Sequence, residues 1–197
     1  GEYTAPLFSE RKRSVPLRTL FSPLLFNIYG TILKWRWYNP SMELRRLSKS
    51  DIDSIIELEK HHAPDKPHYA RYDQEALSFI FDNPESCEAI GLFDEESLVG
   101  WGAYRTNWSK YNKERGVYEI SSIVVNTDYR RKGLGEKILN RIIEDLKKKK
   151  FTKIYLTVSP LNTGALLLYV KNGFVIFDYK PNVYGPGADR VFLELKS

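Results

Sequence analysis

The residues best suited to chemistry lie in the stretch Ile123-Val124-Val125-Asn126-Thr127-Asp128-Tyr129-Arg130-Arg131-Lys132-Gly133-Leu134-Gly135. An Ile/Val-rich run leads into a basic turn with two glycines, which opens into an amphipathic stretch. The first N–H groups of a helix lack backbone partners and carry partial positive charge. Gly133 and Gly135 let the main chain come close to a ligand, and Arg130, Arg131 and Lys132 add full charges. The combination suits an anion such as a pyrophosphate. It is neither a Walker P-loop, since no Gly-Lys-Ser/Thr follows, nor G-x-G-x-x-G. Taken alone, it also describes a solvated basic turn whose glycines serve turn geometry.

Other reactive side chains offer less. His61, His62 and His68 flank a proline-containing loop without Cys or carboxylates at ligand spacing, so no metal site is expected. Cys87 falls in a predicted strand and reads as a core residue. No G-x-S-x-G elbow accompanies the Ser, His and Asp of the composition.

The elements that must position the basic turn follow from hydrophobic periodicity. Strands are predicted at 42–47, 87–93, 98–107, 116–125, 153–158, 174–179 and 190–195. Helices are predicted at 49–61, capped by Ser50, and at 73–81, 135–149 and 163–171. The order β-α-α-β-β-β-α-β-α-β-β describes an α/β (α+β) fold, a mixed sheet with helices on its faces. Ahead of it, residues 1–41 form a basic extension in which Phe21, Leu24, Leu25, Ile28, Ile32 and Trp35 mark an amphipathic helix near 22–38. That helix has two readings, docking on the main domain or a partner chain, or lying on a membrane surface. A homodimer is left open.

Charge supports the division. The chain of 197 residues carries a formal net charge of +5, of which residues 1–41 hold +4 and residues 42–197 only +1. The main domain is therefore not a basic nucleic-acid binder. One cysteine excludes a disulfide framework and suits a reducing compartment, so a cytoplasmic location is expected, peripheral to a membrane under the second reading of the helix. No run of about 20 apolar residues is present to span a bilayer.

A second motif follows the next predicted strand: Asn162-Thr163-Gly164-Ala165-Leu166-Leu167-Leu168-Tyr169-Val170-Lys171-Asn172-Gly173-Phe174. R-x-x-G-x-G followed by N-x-x-A-x-x-L-Y-x-x-x-G-F resembles the GNAT superfamily, the acetyl-CoA-dependent N-acetyltransferases. Arg130, Gly133, Gly135, Asn162, Ala165, Leu168, Tyr169, Gly173 and Phe174 all fit, and the element order fits over residues 42–197. The resemblance implies a seven-stranded, mixed but mostly antiparallel sheet flanked by four helices, with acetyl-CoA as acyl donor. The N–H groups of Arg130, Arg131, Lys132, Gly133, Leu134, Gly135 and Glu136 would hold the pyrophosphate. The main chain of Ile123, Val124 and Val125 would bind the pantetheine arm where the two middle strands splay. An N–H near Val124 or Val125 would polarise the thioester carbonyl. Asn162 would face the cofactor arm, and Tyr169 would protonate the departing thiolate.

The reaction also needs a base, because a Lys-type amine with a pKa of about 10.4 must be neutral to attack. Glu119 is the candidate. Strand alternation puts Glu119, Ser121 and Ile123 on one face unless a bulge intervenes, and a glutamate holds the matching position in the histone-type branch of the family. Its plainer role would be pairing with a basic neighbour.

The acceptor site is expected from residues 59–73 and 179–190. The loop Asp178–Asp189 resembles that of protein N-terminal acetyltransferases, including the ribosomal-protein alanine type, which would make Tyr184 and Asp189 substrate-binding. Asp65, Asp73, Asp178 and Asp189 would equally attract a small cationic amine. The expected activity is acetyl transfer to a primary amine by direct attack in a ternary complex, on a polypeptide or on a small molecule such as a polyamine or aminoglycoside. The alternatives are a non-catalytic acyl-CoA-binding module and a membrane-peripheral acyltransferase of longer acyl chains.

Overall fold

The computed structural model describes residues 42–62, 72–106 and 114–197. The expected 22–38 helix, the proline loop with Asp65 and His68, and the end of the predicted 98–107 strand lie outside the described residues.

Seven strands and four helices follow in the expected order. They are β1 (Met42–Arg46), α1 (Ile52–His62), α2 (Gln74–Asp82), β2 (Cys87–Asp94), β3 (Ser97–Arg105), β4 (Val117–Val125), α3 (Leu134–Lys148), β5 (Lys153–Val158), α4 (Thr163–Lys171), β6 (Val175–Lys180) and β7 (Arg190–Lys196). One sheet runs β1-β2-β3-β4-β5-β7-β6. Every neighbouring pair is antiparallel except β4 and β5.

Each face of the sheet carries its own core. Ile138, Leu139, Ile142 and Leu146 of α3 and Tyr169 of α4 pack with Ile90, Leu92, Ile120, Ile154 and Leu156. Ile52, Ile55 and Leu58 of α1 and Leu77 and Ile80 of α2 pack on the opposite face, with Ala89, Trp101, Ala103 and Val124. The α3 stripe is thus the one that the helical spacing predicts. Glycine brings α3 close to the sheet: a Cβ on Gly102 would lie 2.8 Å from Ile138 Cγ2.

Helix starts depart from the expectation by a few residues. Ser48, not Ser50, is the cap before α1; its N–H donates to Asp51 Oδ2 at 2.8 Å, and residues Lys49–Asp51 form a 3-10 turn. Asp51 also takes the Arg45 guanidinium at 2.7 Å, which pushes its carboxyl below the usual range.

Candidate active site

The site begins where two strands part. β4 and β5 pair only at Val117↔Lys153, Tyr118↔Ile154 and Glu119↔Tyr155. Beyond Glu119, β4 remains paired with β3 as far as Val125, while β5 continues along β7. The β5-facing edge of residues 120–125 therefore has no strand partner in this sheet, the gap that the resemblance implied. Backbone hydrogen-bonding groups along such an edge need another partner.

At the end of the gap β4 enters the basic turn. Arg131 and Gly133 have φ of 59° and 76°, the left-handed region, and Gly133 directly precedes α3. Alternating left-handed residues turn successive N–H groups to one side as an anion-binding nest. The first internal helical bond runs from Lys137 N to Gly133 O, so the N–H groups of Leu134, Gly135 and Glu136 precede the ladder. A Cβ on Gly133 would meet nothing within 4 Å, and one on Gly135 would lie 3.5 Å from Leu168 Cδ2. Packing within the chain does not require Gly135 to lack a side chain, and the missing Cβ leaves the cradle open. The basic side chains brace this turn: Arg130 Nε donates to Val125 O at 3.1 Å and Lys132 Nζ to Asp128 O at 2.8 Å. The turn thus offers main chain at its surface and positive charge around it.

The N-terminus of α3 is fastened to α4. Glu136 accepts from Lys171 Nζ at 3.1 Å and from Asn172 Nδ2 at 3.4 Å. Asn162 caps α4, its Oδ1 accepting from Ala165 N at 3.1 Å. Tyr169 is buried, its ring edge-on to Phe174 at 5.7 Å. Burial alone pushes its hydroxyl up to about 12, so it keeps its proton at neutral pH.

Glu119 lies on the other face. A bulge shifts the β3–β4 register between Ala103↔Ser122 and Tyr104↔Ile120, leaving Ser121 as the extra residue. The expected shared face of Glu119, Ser121 and Ile123 is thereby broken: Ile123 packs with the α3 core, while Glu119 turns to the α1/α2 side. There its carboxylate takes Arg105 Nε at 2.9 Å on Oε2 and Nη2 at 3.1 Å on Oε1, and the Tyr155 hydroxyl at 3.2 Å on Oε2. Burial works against the Arg105 charge, but the bonds from Glu119 outweigh it and raise the guanidinium further. Tyr72 stands beside this group, edge-on to Trp101 at 5.1 Å, and desolvation pushes its hydroxyl up to about 12. The Trp101 indole donates to the buried Glu59 at 3.1 Å.

Sequence reasoning missed Arg105 and Tyr155, because only cross-strand register brings them to Glu119, while Glu59 and Tyr72 fall within the expected acceptor segment 59–73. The Ser121-Ser122 pair inside an apolar strand was the signal for the bulge.

In the β6–β7 loop, Tyr184 is half-exposed with Arg190 stacked 4.8 Å from its ring centre. Asp189 holds the loop itself: it accepts from the Tyr179 hydroxyl and, at 3.0 Å, from Asn182 N. Both of its oxygens accept bonds within the loop. Residues 63–71 of the other expected acceptor segment lie outside the described residues.

Known proteins are similar to this chain in sequence and fold. The chain is 29% identical over 111 residues to streptothricin acetyltransferase A of Bacillus subtilis, covering 56% of this chain and 61% of that one. It is 29% identical over 106 residues to the spermine/spermidine N(1)-acetyltransferase of the same species, covering 51% and 69%. It is 35% identical over 65 residues to the [ribosomal protein bS18]-alanine N-acetyltransferase of Escherichia coli, covering 33% and 44%. The match to the first of these spans about three fifths of its length. Among solved structures, the Salmonella typhimurium protein yncA, bound to its cofactor acetyl-CoA, superposes with a TM-score of 0.68 at 20% identity, over 79% of this chain and 93% of that one. Residues 51–174 match the Acetyltransferase (GNAT) family, and the chain belongs to that family.

Proposed function

We propose that residues 42–197 form an acetyl-CoA-dependent N-acetyltransferase domain acting on a primary amine, with a polypeptide amine as acceptor. The observation that carries this reading is the parting of β4 from β5 after Glu119↔Tyr155, followed at once by the left-handed turn into α3. The unpaired edge of β4 and the open cradle at Gly133 and Gly135 fit an elongated donor with a pyrophosphate.

Acetyl-CoA, when bound, supplies an acyl group activated as a thioester. The N–H groups from Arg130 to Glu136 hold the pyrophosphate, and the main chain of Ile123, Val124 and Val125 takes the pantetheine arm. An N–H at Val124 or Val125 polarises the carbonyl. Tyr169, kept protonated by burial, gives its proton to the leaving sulfur. Glu119 receives the proton that the amine must lose, from the opposite face of the sheet.

The acceptor assignment draws support from the Tyr184 loop and from likeness to the bS18-alanine enzyme. A small cationic amine is the second reading, favoured by the buried Glu59 carboxylate on the acceptor-side face and by likeness to the spermine/spermidine enzyme. The retained Tyr169 and Glu119 favour catalysis over a purely binding role. We place the enzyme in the cytoplasm. No described helix is long and apolar enough to cross a membrane.

The test is calorimetry with acetyl-CoA, followed by thiol release with peptides, polyamines and aminoglycosides. Binding and turnover with at least one amine are expected, peptides fastest. No heat and no thermal stabilisation at millimolar acetyl-CoA would overturn the reading.

A further inference from the structure

We propose that Tyr155 is a proton relay between the acceptor amine and Glu119. The inference rests on the acetyltransferase reading above and adds a residue to it. Arg105, Glu119 and Tyr155 form one row across β3, β4 and β5, at the last paired position before the gap opens. Arg105 approaches Glu119 from the β3 side and bonds both oxygens; Tyr155 approaches from the β5 side and donates to Oε2. The gap lies on the β5 side. The Tyr155 hydroxyl, bonded to Oε2 at the edge of the gap, is thus placed to carry a proton between the gap and the carboxylate.

Tyrosine suits this task because its hydroxyl can accept one proton while donating another. An ammonium proton passes to Tyr155 Oη as the proton of Tyr155 passes to Glu119 Oε2, and Glu119 then yields it to solvent. The freed nitrogen lone pair forms the C–N bond to the acyl carbon, and the second amine proton leaves by the same route. The C–S bond breaks, sulfur takes the proton of Tyr169, and Tyr169 regains one from solvent. The sum is ammonium plus thioester giving amide, thiol and one released proton.

Among the described residues, the charged and titratable groups around the row are few. Arg105 stands on β3 with Cys87 opposite it on β2, Tyr72 and Glu59 stand on the α1/α2 side, and Glu194 faces Tyr155 from β7. Glu194 is paired with Lys196 at 2.8 Å. Among the described residues, Tyr155 and Arg105 bond Glu119.

The experiment is the pH dependence of kcat/KM for Tyr155→Phe, with an alanine-initiated peptide and with spermidine. Without the relay, reaction draws only on amine that is already neutral. The deficit should be about 30-fold at pH 6 and shrink to about threefold once pH passes the pKa of the amine, about 8 for a peptide α-amine and about 10 for spermidine. Glu119→Gln should show the same signature, and the double variant should lose little more than either single one. Affinity for acetyl-CoA by calorimetry should stay at the wild-type value. An equal deficit at every pH, a wild-type profile, or weakened acetyl-CoA binding would each overturn the relay. If wild-type protein turns over neither amine, the acetyltransferase reading falls and the relay with it. Turnover by wild type together with an unchanged Tyr155→Phe overturns the relay alone.

Discussion

The two faces of the sheet meet the gap between β4 and β5 by different means. Toward α3, what faces the gap is mostly main chain: the free edge of β4, the left-handed turn and the first N–H groups of a helix. Toward α1 and α2 it is side chains, Arg105, Glu119, Tyr155 and Tyr72, drawn from widely separated points in the chain. Main-chain groups are supplied by nearly any sequence that folds this way, so the first face suits a constant partner. Side chains can be exchanged without disturbing the ladder, so the second face suits a partner that differs between relatives. The relatives match that division, being named for streptothricin, spermine/spermidine and a ribosomal-protein alanine while all being acetyltransferases.

Tyr169 is the exception on the main-chain face, and it offers the sharpest test. Tyr169→Phe removes one hydroxyl from a buried ring and should lower kcat about 100-fold with the acetyl-CoA Kd unchanged. Wild-type turnover would mean that side chains on this face do no chemistry.

Gly135→Ala probes the main-chain cradle directly. The new methyl would stand 3.5 Å from Leu168, an ordinary contact, so the melting temperature should hold or rise slightly. Acetyl-CoA affinity should fall about tenfold. Unchanged affinity would place the donor elsewhere and dissolve the contrast between the faces.

A smaller effect follows from the burial of Tyr169. Its folded pKa of about 12 exceeds the ordinary 10.0, so its contribution is fully present below pH 10 and is lost as pH rises toward 12. Relative to Tyr169→Phe, the wild-type protein should lose about 1 kcal/mol between pH 9 and pH 11, read from denaturant melts. A constant difference would show that the hydroxyl is more open to water than its place in the core implies.

The same contrast explains what could be read from the sequence. Arg130, Gly133 and Gly135 are close in the chain and answer to local rules of turn and helix, so the donor turn was legible. The order of elements was legible as well, because periodicity and turn residues mark each one. The Arg105–Glu119–Tyr155 row was not, since it depends on register across three strands. Alternation alone also put Glu119 on the face of Ile123, and one extra residue at Ser121 reversed that. Asp189 shows a different limit: its bonds from the Tyr179 hydroxyl and the Asn182 N–H depend on how the loop folds back on itself, which spacing in the sequence does not reveal.

The order β5-β7-β6 has a consequence for assembly. β5 and β6 do not pair with each other; β7, downstream of both, lies between them and joins each. Until β7 arrives, α4 with Tyr169 hangs between two strands that have no ladder in common. β2, β3 and β4 each pair with the strand that follows in the chain, whereas β5 and β6 are joined only through β7. The catalytic acid proposed at Tyr169 therefore has a continuous sheet beneath it only once the final strand is in place.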